Sequence, residues 1–195
     1  MLENDLRVAY LGLYWRGSQE GSSHRQPTPL AHGLHRFKFG GDRYAGHCLA
    51  RLFAESLSNW VTDAAGDTLA AYDAIVPVPL SMTGLRARRF NQSAWLARRL
   101  ARRTRVAYRP GWLRRCGGSQ PQHGLGAVAR RANMRGAFGA GRLPAQPARV
   151  LVIDDVCTTG ATLAEAVRVL AEAGAGHVDA AVLVLAEALT DGNRK

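Results

Sequence analysis

The apolar positions of this chain change their period along its length. After Pro29, Leu30, Leu34 and Phe37 recur at helical steps, and Phe39-Gly40-Gly41 follows, so the spacing predicts a helix with a glycine stop. Residues 43–61 keep the helical period through Leu49, Leu52, Phe53, Leu57 and Trp60. At Asp73–Leu80 the pattern becomes a short continuous apolar run, which predicts a core strand ended by Pro77 and Pro79. Ser93–Thr104 reads as an amphipathic helix, with Trp95, Leu96 and Leu100 inward and arginines outward. Val106–Trp112 reads as a further strand. Val150-Leu151-Val152-Ile153 suits a parallel strand covered on both faces. A helix from about Thr162 to Ala173, stopped by Gly174 and Gly176, and a last strand Val178–Leu185 complete the pattern.

Strands that alternate with helices predict an α/β fold with a central parallel sheet. Residues 1–30 are poorly periodic, Gly84–Asn91 reads as a basic loop, and Cys116–Ala127 reads as a long Gly- and Gln-rich loop. A length of 195 residues predicts one compact domain, with 1–60 as an N-terminal helical segment and 61–190 as the core.

Composition sharpens this picture in two respects. No apolar run approaches the length of a membrane helix, so no membrane insertion is expected. Met1–Asp5 carries acids and no basic leader, and Cys48, Cys116 and Cys157 form neither a disulfide framework nor a metal-binding pair, so a reduced, cytoplasmic location is expected. The formal net charge is +11, and Lys38 and Lys195 are the two lysines, so nearly all the positive charge is arginine. Such an excess of base favours phosphate-rich partners. Eleven arginines and no acid lie between Gly84 and Arg115, with Trp95, Tyr108 and Trp112 interleaved, a composition that suits single-stranded nucleic acid, although Trp95 falls on the apolar face of its helix. Lys38 is the one internal lysine, which by itself assigns no role.

The chemistry concentrates after the Val150–Ile153 strand. Asp154 and Asp155 stand where that strand ends, the edge of an open α/β sheet at which ligands bind. Thr158-Thr159-Gly160-Ala161-Thr162 then offers N–H groups and hydroxyls at a helix N-terminus, a ready anion site. Acids for sugar hydroxyls beside a nest for a phosphate describe a receptor for a sugar phosphate.

Val150–Thr162 resembles the phosphoribosyl-pyrophosphate (PRPP) motif of type I phosphoribosyltransferases, with Cys157 where an aliphatic or aromatic residue is commoner. Four further blocks narrow the resemblance: Arg36–Asp42, Val76–Leu80, Arg89–Gln92 and Arg130–Phe138 are similar to the ComF family, phosphoribosyltransferase-like proteins linked to DNA uptake. The resemblance implies the type I phosphoribosyltransferase fold, a central parallel sheet wrapped by helices with a small hood formed partly by residues before 60. It implies that Asp154 and Asp155 hold the ribose hydroxyls and that Thr158, Thr159, Gly160, Ala161 and Thr162 wrap the 5′-phosphate. It assigns the pyrophosphate loop to Pro77, Val78, Pro79 and Leu80. Arg86, Arg88, Arg89 and Asn91 become candidates for pyrophosphate or DNA phosphates, beside the plainer reading of a solvated basic face. Arg114, Arg115, Gln122 and Arg130 flank or lie in a loop that closes over PRPP in that family, beside the plainer reading of a surface loop. The implied activity is Mg²⁺-dependent transfer of phosphoribosyl from PRPP with release of pyrophosphate, the ion being held mainly by the ligand. The alternative is a non-catalytic protein that handles single-stranded DNA in natural transformation. The four-cysteine zinc ribbon found at the start of many members has no counterpart before Cys48, so no zinc is expected. A homodimer is compatible with either reading.

Overall fold

The Val150–Ile153 run lies in the strand at the centre of the molecule. The computed structural model describes residues 8–15, 29–65, 69–116, 134–146 and 148–187. Its main sheet consists of β1 (Val8–Trp15), β2 (Ala74–Pro77), β3 (Ala107–Tyr108), β6 (Arg149–Cys157) and β7 (His177–Glu187). They lie in the order β1-β7-β6-β2-β3, and every neighbouring pair is parallel. A second, two-stranded antiparallel sheet pairs β4 (Leu113–Arg115) with β5 (Phe138–Ala140). The helices are α1 (Pro29–Phe39), α2 (Arg43–Ala65), α3 (Met82–Arg88), α4 (Gln92–Thr104) and α5 (Ala161–Glu172).

Strand alternation divides the core into two layers. Leu151 and Ile153 of β6 and Ala181 and Leu183 of β7 face α1, α2 and α4, where they pack with Leu34, Phe37, Phe53, Leu57, Leu96 and Leu100. Val150 and Val152 with Ala180 and Val182 face the other way, against Leu163, Ala166 and Leu170 of α5 and Leu113 and Phe138 of the small sheet. Both faces of β6 and β7 are therefore covered, which is why these strands read as unbroken apolar runs. Among the described residues no helix is long and apolar enough to cross a membrane.

The structure corrects three sequence expectations. Residues 8–15, read as aperiodic, form the edge strand β1, which runs beside β7 from Val8↔Ala180 to Trp15↔Glu187. Its Gly12 marks a close approach, because a Cβ there would stand 2.6 Å from Leu30 of α1. The Gly84–Asn91 stretch, expected as a loop, is mostly the short helix α3, whose N-terminus is capped by Ser81 Oγ accepting from Gly84 N at 3.1 Å. Val106–Trp112 is a strand only at Ala107–Tyr108; Pro110 turns the chain into a 3₁₀ turn that leads into β4.

A buried acid ties the small sheet to α5. Glu165, 5% exposed, accepts from Gly136 N at 2.7 Å and takes the fork of Arg168 at 2.9 and 2.7 Å. The Arg168 hydrogen bonds lead the influences that hold its carboxyl below the usual glutamate range. Gly136 is in the left-handed region, at φ 73°, which suits glycine. Glu165→Ala removes the acceptor of the Gly136 N–H and leaves the Arg168 guanidinium with Glu172 alone. It is expected to cost about 1.5–3 kcal/mol, the range for hydrogen bonds to charged groups, read as a lower urea midpoint at unchanged slope.

Candidate functional site

β6 carries the acid pair toward the C-terminal edge of the sheet, although the strand runs on through both acids to Cys157 rather than ending before them, and the two acids meet different surroundings. Asp155 Oδ2 lies 2.9 Å from Lys38 Nζ and 3.7 Å from Arg88 Nη1. The Lys38 and Asp155 side chains are 11% and 10% exposed, so this ion pair is largely withdrawn from water. Asp154 Oδ1 accepts from Ser93 Oγ at 2.7 Å and from the Asp155 N–H at 2.8 Å. Burial, and then the charge of Asp155, push the Asp154 carboxyl up to about 7; the Ser93 hydroxyl, the Asp155 N–H and Lys38 oppose this. The pair is thus asymmetric: Asp155 faces two cations, whereas Asp154 takes up a proton near neutral pH. Burial also pushes the Cys157 thiol up, consistent with a packing role at the end of β6.

Each partner has a local reason to be where it is. Lys38 is in the last turn of α1, which ends abruptly. Gly40 N and Asp42 N both reach Arg36 O, at 2.9 and 3.2 Å, and Gly41 is left-handed at φ 64°. Asp42 pairs with Arg36 at 2.6 Å and accepts from Ala45 N at 2.9 Å, which starts α2. Phe37, fully buried against Phe90 and Trp95, anchors this corner. Arg88 ends α3 and lies over the Phe39 ring, 5.7 Å from its centroid. Arg89 then turns the chain at φ 65°, and Asn91 starts α4.

The other predicted residues divide between this edge and the framework. Pro77 ends β2, and Val78 N donates to Ile153 O at 2.9 Å, so the Val78-Pro79-Leu80 turn adjoins the end of β6. Asn91 is engaged by the fold: its amide donates to Val78 O at 3.0 Å and its oxygen accepts from Ala94 N at 3.2 Å. Arg86 and Arg89 are exposed on and just after α3. Thr158 is exposed, Thr159 Oγ1 accepts from Ala161 N at 3.5 Å, and Gly160, at φ 74°, turns the chain into α5, whose first turn holds Ala161 and Thr162. Arg114 and Arg115 are on β4, Arg114 turned to Gly111 O at 3.4 Å and Arg115 above the Phe138 ring at 5.4 Å. Gln122 and Arg130 lie outside the described residues, as does most of the Cys116–Ala127 loop.

Two contributors were not identified by sequence reasoning. Ser93 looks like an ordinary residue at a helix start, and no spacing links it to Asp154, 61 positions away. Lys38 stands out in composition, but its partner does not. The interleaved aromatics are less available than the pattern suggests. Arg99 covers the Trp95 ring at 3.1 Å, and Tyr108 and Trp112 are partly buried against the two core layers. Phe39 and Tyr44, 63% and 79% exposed, are the aromatics that face solvent near Lys38.

The donor set bears on magnesium. Oδ2 of Asp155 is already held by Lys38 and Arg88, and Oδ1 of Asp154 takes two donors. Carboxylates engaged in this way do not form a cage for a divalent cation, which prefers unshared oxygen ligands. They fit such an ion only where a ligand supplies most of its oxygens.

Known proteins are similar to this chain in sequence. A family model described as "Phosphoribosyl transferase domain" matches residues 146–195, the stretch that contains β6, the Thr158–Thr162 turn, α5 and β7. The DNA utilization protein YhgH of Escherichia coli (strain K12) is 34% identical over 151 residues, which covers 77% of this chain and 64% of that protein. Competence protein F of Haemophilus influenzae is 32% identical over 155 residues, 77% of this chain and 65% of that protein. The chain thus spans slightly less than two thirds of the length of these relatives. Among solved structures, orotate phosphoribosyltransferase from Aeropyrum pernix aligns at 25% identity with a TM-score of 0.40, over 75% of this chain and 63% of that one. A purine phosphoribosyltransferase from Pyrococcus horikoshii Ot3 aligns at 16% identity with a TM-score of 0.44, over 73% and 75%.

Proposed function

Because this chain belongs to the ComF family and has the type I phosphoribosyltransferase fold, we propose that it binds PRPP or a closely related sugar phosphate at the C-terminal edge of its sheet and transfers the phosphoribosyl group. The observation that carries this reading is the succession on one strand–turn–helix of Asp154, Asp155, the left-handed Gly160 and the N-terminus of α5. Asp155, paired with Lys38 and Arg88, accepts from a ribose hydroxyl. Asp154, held in orientation by Ser93, takes the neighbouring hydroxyl. The Thr158–Thr162 turn receives the 5′-phosphate on N–H and hydroxyl donors at the positive end of α5. The Val78-Pro79-Leu80 turn borders the diphosphate, with Arg88 behind it.

In the reaction a nitrogen nucleophile attacks C1 of the ribose, the C1–O bond to diphosphate breaks with its electron pair leaving on diphosphate, and a C1–N bond forms. No covalent intermediate on the protein is required. The residues contribute by positioning and by electrostatics set in advance of the reaction. A magnesium ion, when bound with the ligand beside Asp154 and Asp155, would supply charge neutralisation at the departing diphosphate.

Calorimetric titration with PRPP and Mg²⁺ tests this reading. Saturable binding by the wild type and loss of it in the Asp154→Asn/Asp155→Asn variant are expected, followed by pyrophosphate release in a screen of nitrogen acceptors. A folded wild type that takes up no PRPP would sink the proposal. A second reading, handling of single-stranded DNA, is supported by the names of the relatives and by the net charge of +11. It predicts that affinity for a single strand falls steeply between low and moderate salt.

A further inference from the structure

The residue that the proposed reaction leaves unexplained is Lys38. In a chain whose cations are nearly all arginine, one lysine is placed at the end of α1 with its side chain 11% exposed and its ammonium 2.9 Å from Asp155 Oδ2. An ammonium is a compact point charge, whereas guanidinium is a planar fork, so the two are not interchangeable in so enclosed a position. Arg88 reaches the same oxygen at 3.7 Å from the end of α3, the helix that follows the Val78–Leu80 turn. Its guanidinium is steadied above Phe39.

The charge balance of this group differs from that of a bare acid pair. Two cations face Asp155, and with Asp154 beside it the group holds as many cations as acids, Lys38 and Arg88 against Asp154 and Asp155. The edge is therefore near neutral before any ligand arrives. A diphosphate that reaches it meets cations supplied by the protein, where an unpaired acid pair would repel it and would need a divalent ion as a bridge.

We propose that Lys38 is a further ligand-binding residue of this site, which with Arg88 neutralises the diphosphate of a phosphoribosyl ligand and so lets that ligand bind without a divalent cation. The proposal rests on the sugar-phosphate reading above and concerns capture of the ligand only. Asp155 orients the ammonium before binding. Lys38 thus acts on both ends of the ligand: on the diphosphate directly, and on the ribose through Asp155.

The test is calorimetric titration of the full chain with PRPP, and separately with inorganic pyrophosphate, in buffer with Mg²⁺ and in buffer with EDTA. Wild-type affinity for PRPP in EDTA should stay within about tenfold of that with Mg²⁺. Lys38→Met should lose about 10–100-fold in EDTA, the worth of one charge-assisted contact, and regain much of it when Mg²⁺ is added. Lys38→Arg, which keeps the charge, should bind better in EDTA than Lys38→Met, and circular dichroism and thermal unfolding would establish that each variant is folded. Wild-type binding that appears with Mg²⁺ and vanishes in EDTA overturns the role of Lys38 but leaves the sugar-phosphate reading intact. So does equal binding by wild type and a folded Lys38→Met in EDTA. The absence of binding by the folded wild type in both buffers overturns the two readings together. The wild-type comparison stands alone, so the outcome does not depend on the variants folding.

Discussion

Phe37→Ala is expected to lower the unfolding free energy by about 3–5 kcal/mol, the range for deleting a buried ring. The ring is fully buried, with centroids 5.2 Å from Phe90 and 4.9 Å from Trp95. A Cβ on Gly46 would collide with it, so α2 already packs as closely as the backbone allows. The three aromatics join α1, the corner after α3 and the first turn of α4. Those segments carry Lys38, Arg88 and Ser93, the partners of the acid pair. The cavity should therefore weaken ligand binding as well as stability, although Phe37 touches neither acid. Chemical denaturation gives the stability and calorimetry with PRPP gives the binding. A loss below about 1 kcal/mol would mean that the corner collapses around the void, which is the opposite of close packing.

Asp154→Asn is expected to raise the melting midpoint at pH 8 and to leave it nearly unchanged near pH 4. Asparagine keeps an oxygen for Ser93 and the Asp155 N–H but carries no charge. The Asp154 carboxyl ionises near 3.8 when unperturbed and is pushed up to about 7 in the fold, by burial first and then by the charge of Asp155. Between those values the native protein holds a proton that the unfolded chain has released. The contribution of the protonated Asp154 to stability is therefore full below about pH 4 and is lost as the pH rises through 7. The gap between variant and wild type should open over that window and level off above it. For a chain of this length each kcal/mol corresponds to about 2–4 °C in the midpoint. Scanning calorimetry of both proteins from pH 4 to 8 measures the gap, and a constant gap would mean that Asp154 titrates as an ordinary surface acid. The same variant is expected to lose PRPP, so the native residue sacrifices stability for function, a common trade at binding sites.

Much of the framework was legible because its signals are local. Val150–Ile153 is apolar without a break because both faces of β6 are covered, and the acids, the glycine turn and α5 follow within a dozen positions. Pro77 and Pro79 end β2 for the same reason in any context: they lack an N–H for the ladder. The misses are of another kind. β1 exists as a strand because β7, far away in sequence, offers it an edge, and a run with Tyr10 exposed and Ala9 buried does not announce this by itself. α3 was hidden by its arginines, since a seven-residue helix with no buried residue has no apolar period to read, and the Ser81 cap is its local signal. Asn91 was legible as polar and near the edge, yet its side chain is engaged in capping α4 and tying down Val78.

By itself, then, the order of residues determined the parallel α/β framework and the positions of Asp154, Asp155 and the phosphate-type turn, because hydrophobic period, turn chemistry and motif spacing act between neighbours in the chain. Only the tertiary structure decided what those two acids are. It brought Lys38 and Arg88 to Asp155, and Ser93 to Asp154, from separate helices, and so made one carboxylate the partner of two cations and the other a proton holder near neutral pH. Charge interactions and desolvation depend on distance and burial in space, and neither quantity is written in the order of the residues.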